Sequence, residues 1–87
     1  MRKQYIAILK VFFCKKVRAS RAELEISQEE MAGRLLMAAR SYIDLEQTKN
    51  CCSAVTLMLY LIYICNDPFA FLNELRQALE ADTIQVA

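Results

Sequence analysis

Four cysteines are the side chains of this sequence most suited to metal binding or nucleophilic chemistry, and no histidine accompanies them. They are Cys14, Cys51, Cys52 and Cys65, and no two form a C-x-x-C pair. Structural zinc sites use cysteine and histidine at such spacings, so we expect no metal and no cofactor. Adjacent Cys51 and Cys52 are poorly placed to bridge each other. Four reduced thiols predict a cytoplasmic protein.

The residues needed for catalysis are also missing. Acid–base chemistry has no histidine to use, the single glycine excludes a glycine-rich phosphate loop, and no nucleophile stands beside an evident base. We therefore expect a protein that binds rather than an enzyme.

Positive charge is concentrated at the start of the chain, although the formal net charge is only +1. Such a cationic arm suits phosphate groups or a membrane surface, and a solvated helix face accounts for it equally well. The apolar run at 57–65 is about half the ~20 residues that a spanning helix needs, so we expect no membrane segment. Residues 1–21 contain no acid and seven bases: Arg2, Lys3, Lys10, Lys15, Lys16, Arg18 and Arg21.

The length of 87 residues predicts a single domain over residues 1–87. An apolar fraction of 56% exceeds the usual ~45–50%, which leaves more apolar surface than one small domain can easily hide. One glycine, one proline and the lack of long alternating patterns argue against strands. We predict an all-α fold of five helices.

The first helix is predicted over residues 3–24, where apolar residues recur at helical spacing, most firmly over 11–24. Residues 4–9 also suit a strand, so an N-terminal extension at 1–10 forming a short strand or arm stays open. A second helix begins after Ser27, whose hydroxyl can form a capping box with Glu30.

The later helices follow from caps and apolar runs. A third is predicted at 39–47, and a fourth begins after Ser53 and runs to Cys65, apolar on nearly every side and therefore expected at the centre of the core. Asp67 caps a fifth that starts at Pro68. It should fade near Ala81 and leave a frayed tail at 82–87.

Two sequence motifs then resemble a known family. Residues 28–35 read Q-E-E-M-A-x-R-L, and six residues later 42–49 read Y-I-D-L-E-Q-T-K. Over residues 11–75 the chain resembles the helix-turn-helix domain of phage Cro and lambda-type repressors, the XRE family of bacterial and phage regulators. The resemblance implies a five-helix lambda-repressor-like DNA-binding domain with its helix-turn-helix at about 28–47, binding double-stranded DNA through the second helix of the pair.

The family's functional positions can be carried over one by one. Gln28 would hold a phosphate and steady the recognition helix, Arg40 would donate to a guanine edge, and Ile43 would meet a thymine methyl. Glu46 would serve structure by pairing with a nearby cation or the loop backbone. The implied DNA contacts, with Ser41, Lys49 and Asn50 on phosphate or sugar, are Gln28, Ala39, Arg40, Ser41, Ile43, Asp44, Lys49 and Asn50.

Several residues depart from the family pattern. Leu36 stands where a turn glycine is usual, so it must adopt a left-handed conformation or the turn is altered. Ala38 replaces the serine cap of the recognition helix, at a cost of about 1 kcal/mol. Ala39 and Asp44 weaken the reading face, and Thr48 replaces a loop glycine.

Two hypotheses follow for function. The first is a DNA-binding regulator that occupies an operator as a homodimer, because two modules one helical turn apart gain affinity. The second is a helix-turn-helix fold used as a protein-interaction module. The dimer interface would lie on the N-terminal extension or on the fourth and fifth helices, especially Phe69, Phe71, Leu72 and Leu79.

Overall fold

The computed structural model describes the backbone of residues 2–86 and the side chains of residues 2–81. Within that range the chain forms helices and no strand, which confirms the all-α prediction. A single π-helical turn, Tyr60–Ile64, continues the fourth helix. The five helices are α1 (Arg2–Leu24), α2 (Gln28–Arg34), α3 (Ala39–Glu46), α4 (Ala54–Leu59) and α5 (Pro68–Val86).

Helix α1 is continuous from Arg2 to Leu24, so the alternative of a strand at residues 4–9 is wrong. Residues 2–10 are its first turns rather than a separate arm. Packing explains the outcome, because Leu9 and Phe12 of α1 pack against the buried core. Tertiary contacts of this kind commonly override the strand preference of β-branched and aromatic residues.

Helices α1 and α5 pack against each other in antiparallel fashion. At one end Ile8 and Ala78 line a common groove, and at the other Ser20 and Asn66 line a common cleft. Between them, the rings of Phe12 and Phe71 meet edge to face with their centroids 5.1 Å apart.

Tyr60, from the π turn, packs against the same aromatic side chains of α1 and α5. Its ring lies 5.3 Å from that of Phe13 and 5.5 Å from that of Phe71, between centroids. Its hydroxyl lies 2.7 Å from the Ser20 hydroxyl. Tyr60 belongs to one core cluster with the largest fully buried side chains, which are Phe13, Val17, Met31, Leu35 and Tyr42.

The fourth helix differs from its prediction. Ser53 caps it as expected, accepting a hydrogen bond from the Thr56 N–H at 3.1 Å. However, only Thr56 and Tyr60 are buried along α4 and its π turn, so the helix lies at the edge of the core rather than at its centre. Leu57, Leu59, Leu61 and Ile64 are half-buried against the core. The outer side of the segment exposes Val55, Met58, Ile62 and Tyr63.

Helix α5 begins as predicted, because Asp67 Oδ1 accepts from the Ala70 N–H at 3.1 Å. It continues to Val86, beyond Ala81 where we expected it to fade. Phe71, expected at a dimer interface, is instead buried in the core, while Phe69 is 85% exposed.

Candidate nucleic-acid interface

The turn between α2 and α3 depends on a left-handed leucine. Leu36 has φ of 55°, and its N–H donates to the Gly33 carbonyl at 3.1 Å. The Met37 N–H donates to the Ala32 carbonyl at 3.0 Å, which completes a Schellman motif. Leu36 therefore does what a turn glycine would do, and the turn keeps its form. This motif sets the direction in which α3 leaves α2.

Both helices of the pair begin as the sequence predicts, but their caps differ. Ser27 accepts from the Glu30 N–H at 3.1 Å and caps α2. Ala38 precedes α3 in an extended conformation and has no side chain with which to cap it. Helix α3 is therefore held by its packing more than by its first turn.

Glu46 anchors the inner face of α3. Arg21 Nε donates to its Oε2 at 2.7 Å, and Arg21 Nη2 donates to Oε1 at 3.2 Å. Gln28 Nε2 donates to Oε1 at 3.0 Å, and the Tyr42 hydroxyl donates to Oε2. The expectation that Glu46 pairs with a cation is confirmed. Three helices, α1, α2 and α3, thus share one carboxylate.

The cluster shifts the acidity of its members. Burial alone would raise the pKa of Glu46, but the hydrogen bonds from Arg21, Tyr42 and Gln28 together hold that pKa below its ordinary value. Burial, followed by the bond to Glu46, raises the pKa of Tyr42. The carboxylate is therefore ionised and the phenol protonated at neutral pH.

Arg21 was grouped with the basic arm in the sequence, and its role in this cluster was missed. A signal was present, because Arg21 follows the buried Cys14 and Val17 at spacings of seven and four residues and so lies on the same side of the helix. Lys16, another base of this arm, forms an ion pair with Glu74 of α5.

Two roles were predicted for Gln28, which are to steady α3 and to contact a phosphate. It steadies α3 through Glu46, as the resemblance implies. A phosphate contact by the same amide stays a prediction, and it would have to use the second hydrogen of Nε2, because the first is donated to Glu46.

The outer face of α3 and the loop that follows carry the other predicted contacts. Arg40, Ser41, Lys49 and Asn50 are exposed, and Ser41 and Asn50 line one cleft. Ile43 and Asp44 are half-buried, while Ala39 is half-buried against the core and has the shortest reach of the set.

Arg40 and Asp44 are paired along the outer face, with Nε and Oδ1 3.8 Å apart. This ion pair is longer than a hydrogen bond. It engages Nε, so the terminal nitrogens of Arg40 can still donate to the two acceptors of a guanine edge. Asp44 can thus orient the guanidinium as well as repel phosphate.

The loop after α3 repeats the turn chemistry of the loop before it. Thr48 has φ of 58°, its N–H donates to the Leu45 carbonyl at 3.2 Å, and the Lys49 N–H donates to the Asp44 carbonyl at 2.9 Å. The threonine takes the left-handed position for which the resemblance implies a glycine, and the motif projects Lys49 and Asn50 beyond the end of α3.

Two thiols lie beside this loop. Cys51 and Cys52 line a cleft with Ser41, Asn50 and Met37. Burial, assisted by the adjacent Cys51 thiol, raises the pKa of Cys52 to about 12. This thiol is therefore protonated at neutral pH and is a weak nucleophile.

Comparison with known proteins identifies no relative: no protein-family model, no curated protein and no solved structure matches this chain. Over the residues that the structure describes, no helix combines the length and apolar character needed to cross a membrane. The same residues contain no cluster of three or more histidine, cysteine, aspartate or glutamate side chains able to hold a metal ion.

Proposed function

We propose that this chain is a sequence-specific DNA-binding transcriptional regulator of XRE type, which binds an operator as a homodimer in the bacterial cytoplasm. The observation that carries the proposal is the division of α3 into two faces. Tyr42, Leu45 and Glu46 are buried against the rest of the domain, while Arg40 and Ser41 point outward at its start. Recognition helices of this class use their N-terminal residues to contact base edges.

The surrounding residues support the same proposal. Lys49 and Asn50 are exposed directly after α3, where they can meet the phosphates on one side of the groove. The cytoplasmic location is supported by four unpaired cysteines, which suit a reducing compartment.

Salt dependence tests DNA binding directly. If Lys49 from each of two protomers neutralises one phosphate, affinity for duplex DNA should fall about tenfold between roughly 50 and 200 mM salt. Fluorescence anisotropy with a random duplex pool measures this, and selection from the same pool finds the preferred sequence. A chain that binds no duplex even at low salt is not a DNA-binding regulator.

Arg40→Ala tests the reading role, and Arg76→Ala is its matched control. Arg76 is also exposed and also pairs with an acid one turn on, with its Nε 2.9 Å from Glu80 Oε1. We expect Arg40→Ala to lose about 1–3 kcal/mol of discrimination at one base position. Equal losses from both variants would show that any surface arginine contributes and that Arg40 does not read a base.

We place the dimer interface on α4 and the start of α5. Residues 50–66 contain no charged side chain, and Tyr63 is 74% exposed. Exposed apolar surface of this kind commonly marks an interface. The exposed apolar residues of this region are Val55, Met58, Ile62, Tyr63, Phe69 and Leu72.

The competing N-terminal surface is less suited to self-association. It exposes Tyr5, Ile6 and Val11, but residues 1–21 carry only positive charges. A twofold interface brings the same patch of both copies together, so these charges would repel.

Oligomeric state separates the two surfaces. Phe69→Glu should convert a dimer to a monomer in light scattering, whereas Val11→Glu should leave the dimer intact. The reverse pattern would move the interface to α1, and a monomeric wild-type chain at high concentration would defeat the dimer altogether.

A second candidate function is a protein-interaction module, and Asp44 on the outer face of α3 favours it. A carboxylate there opposes phosphate, and the uncharged α4 surface offers a site for a protein partner. This candidate predicts no salt-dependent binding to duplex DNA.

A further inference from the structure

Three sulfur-containing side chains line a single cleft of about 370 Å³ beside α3. Met37 comes from the turn between α2 and α3, and Cys51 and Cys52 come from the segment before α4. The wall of the cleft also includes Ser41 and Asn50. The fold thus places Met37 and two adjacent cysteines on the wall of one cleft.

These donors favour soft metals. Thiolate and thioether sulfur suit Cu(I), zinc and iron–sulfur clusters, whereas sites for hard cations are built from oxygen. From the sequence we expected no metal, on the argument that zinc-type sites need four ligands at defined spacings. A soft monovalent cation needs only a pair of sulfur ligands, so the site proposed here departs from that expectation.

We propose that Cys51 and Cys52, assisted by Met37, bind Cu(I). Each thiol releases its proton to solvent and forms one sulfur–copper bond. Copper enters and remains as Cu(I), so no electron is transferred and no oxidant is required. Two thiolates and one cation leave the site with a single negative charge.

The remaining cysteines are not part of the site. Cys14 is buried, and its thiol donates to the Glu46 carbonyl at 2.9 Å. Cys65 lines a different cleft, with Tyr60 and Asn66. Cys65→Ser is therefore a matched control, because it removes a half-buried thiol elsewhere in the same chain.

The test is an anaerobic titration of the reduced full-length chain with Cu(I) in competition with the chelator bicinchoninate, in the absence of DNA. We expect one Cu(I) per chain. Loss of a contact that merely supports a ligand costs about 10–100-fold in metal affinity, so Cys51→Ser and Cys52→Ser should each weaken binding by at least about tenfold. Met37→Leu should weaken it less, and Cys65→Ser should leave it unchanged.

Three results would overturn the proposal: a Cys51→Ser/Cys52→Ser double variant that retains Cu(I), an equal loss in Cys65→Ser, or displacement of Cu(I) by Zn(II). Thermal melting by circular dichroism identifies any variant that fails to fold. If a variant does not fold, the wild-type chain is tested instead. Alkylation of its Cys51 and Cys52 by iodoacetamide is measured by peptide mass spectrometry with and without Cu(I). Cu(I) should protect both residues and leave Cys65 reactive, and unprotected Cys51 and Cys52 would overturn the proposal.

One consequence rests on the proposed function. Ser41 and Asn50 are predicted DNA contacts that share the cleft wall, so Cu(I) should change duplex affinity in the wild type and leave it unchanged in the double variant. The chelator titration contains no DNA, so a failure of metal binding and a failure of the DNA proposal are distinguished.

Discussion

The inner and outer faces of α3 differ in how their charged groups are held. On the inner face, Glu46 is bonded to Arg21, Gln28 and Tyr42 and is 7% exposed. On the outer face, Arg40 has one ion pair at 3.8 Å, and its side chain is 81% exposed. Folding therefore depends on the inner face, and the binding that we propose would use separate residues of the same short helix. Mutations should be able to change either without the other.

The largest effect is expected at Glu46. Removing one partner of a buried ion pair costs about 3–5 kcal/mol. Because Arg21 keeps some solvent contact, we expect Glu46→Gln to lower the free energy of unfolding by about 3 kcal/mol. Urea denaturation measures this loss. The matched outer-face variant, Arg40→Gln, removes a charge whose side chain is 81% exposed and should change stability by less than about 0.5 kcal/mol. Similar losses in both variants would remove the distinction between the faces.

Protonation of Glu46 at acidic pH should destabilise the domain, as the Glu46→Gln substitution does. The folded-state pKa of Glu46 lies below its ordinary value of 4.5, so its contribution is present above that pH and is lost as pH falls through the folded-state pKa. Each unit of lowering contributes about 1.4 kcal/mol. Urea midpoints at several acidic pH values should fall more steeply for the wild type than for Glu46→Gln. Parallel curves would show that another carboxyl group is responsible.

A smaller effect is expected at the turn that joins the two helices. A left-handed conformation costs a non-glycine residue about 1–2 kcal/mol. Glycine avoids that cost but loses more chain entropy on folding, which offsets about 0.5–1 kcal/mol of the gain. Leu36 is 80% exposed, so Leu36→Gly should stabilise the domain by about 0.5–1 kcal/mol in urea denaturation. Destabilisation would mean that the leucine side chain contributes packing that its exposure conceals.

Gly33 is the natural comparison, because the chain's one glycine lies in a helix. A Cβ added there would meet no atom within 4 Å, so Gly33→Ala should stabilise α2 by up to about 1 kcal/mol through helix propensity. Thermal unfolding measures the gain, and a lower melting temperature would contradict it.

The smallest effect on stability is expected at Arg40. Exposed ion pairs contribute about 0–1 kcal/mol, so Arg40→Ala should leave the urea midpoint nearly unchanged while altering DNA binding under the proposed function. A large loss of stability would show that the outer face also holds the fold.

Local signals in the sequence predicted the helix-turn-helix pair well. The Ser27 and Ser53 caps and the left-handed alternative at Leu36 are confirmed, because each depends on residues within a few positions. The pairing of Arg21 with Glu46 spans 25 residues, and no local pattern specifies which cation a buried acid will meet. The prediction that α4 lies at the centre of the core was wrong for a related reason. An apolar run does not reveal how many neighbours a helix has. The DNA contacts stay predictions.

The antiparallel packing of α1 and α5 has a practical consequence for experiments. Arg2 lies roughly 18 Å along the helix from Cys14, at ~1.5 Å per residue. Cys14, like Arg21 further along α1, contacts Glu46 at the end of α3. The start of α1 and the later turns of α5 run side by side. A fluorophore at the start of α1 would therefore stand clear of α3, and energy transfer between labelled copies would report whether the proposed dimer forms and how its protomers are arranged, while α3 remains unmodified.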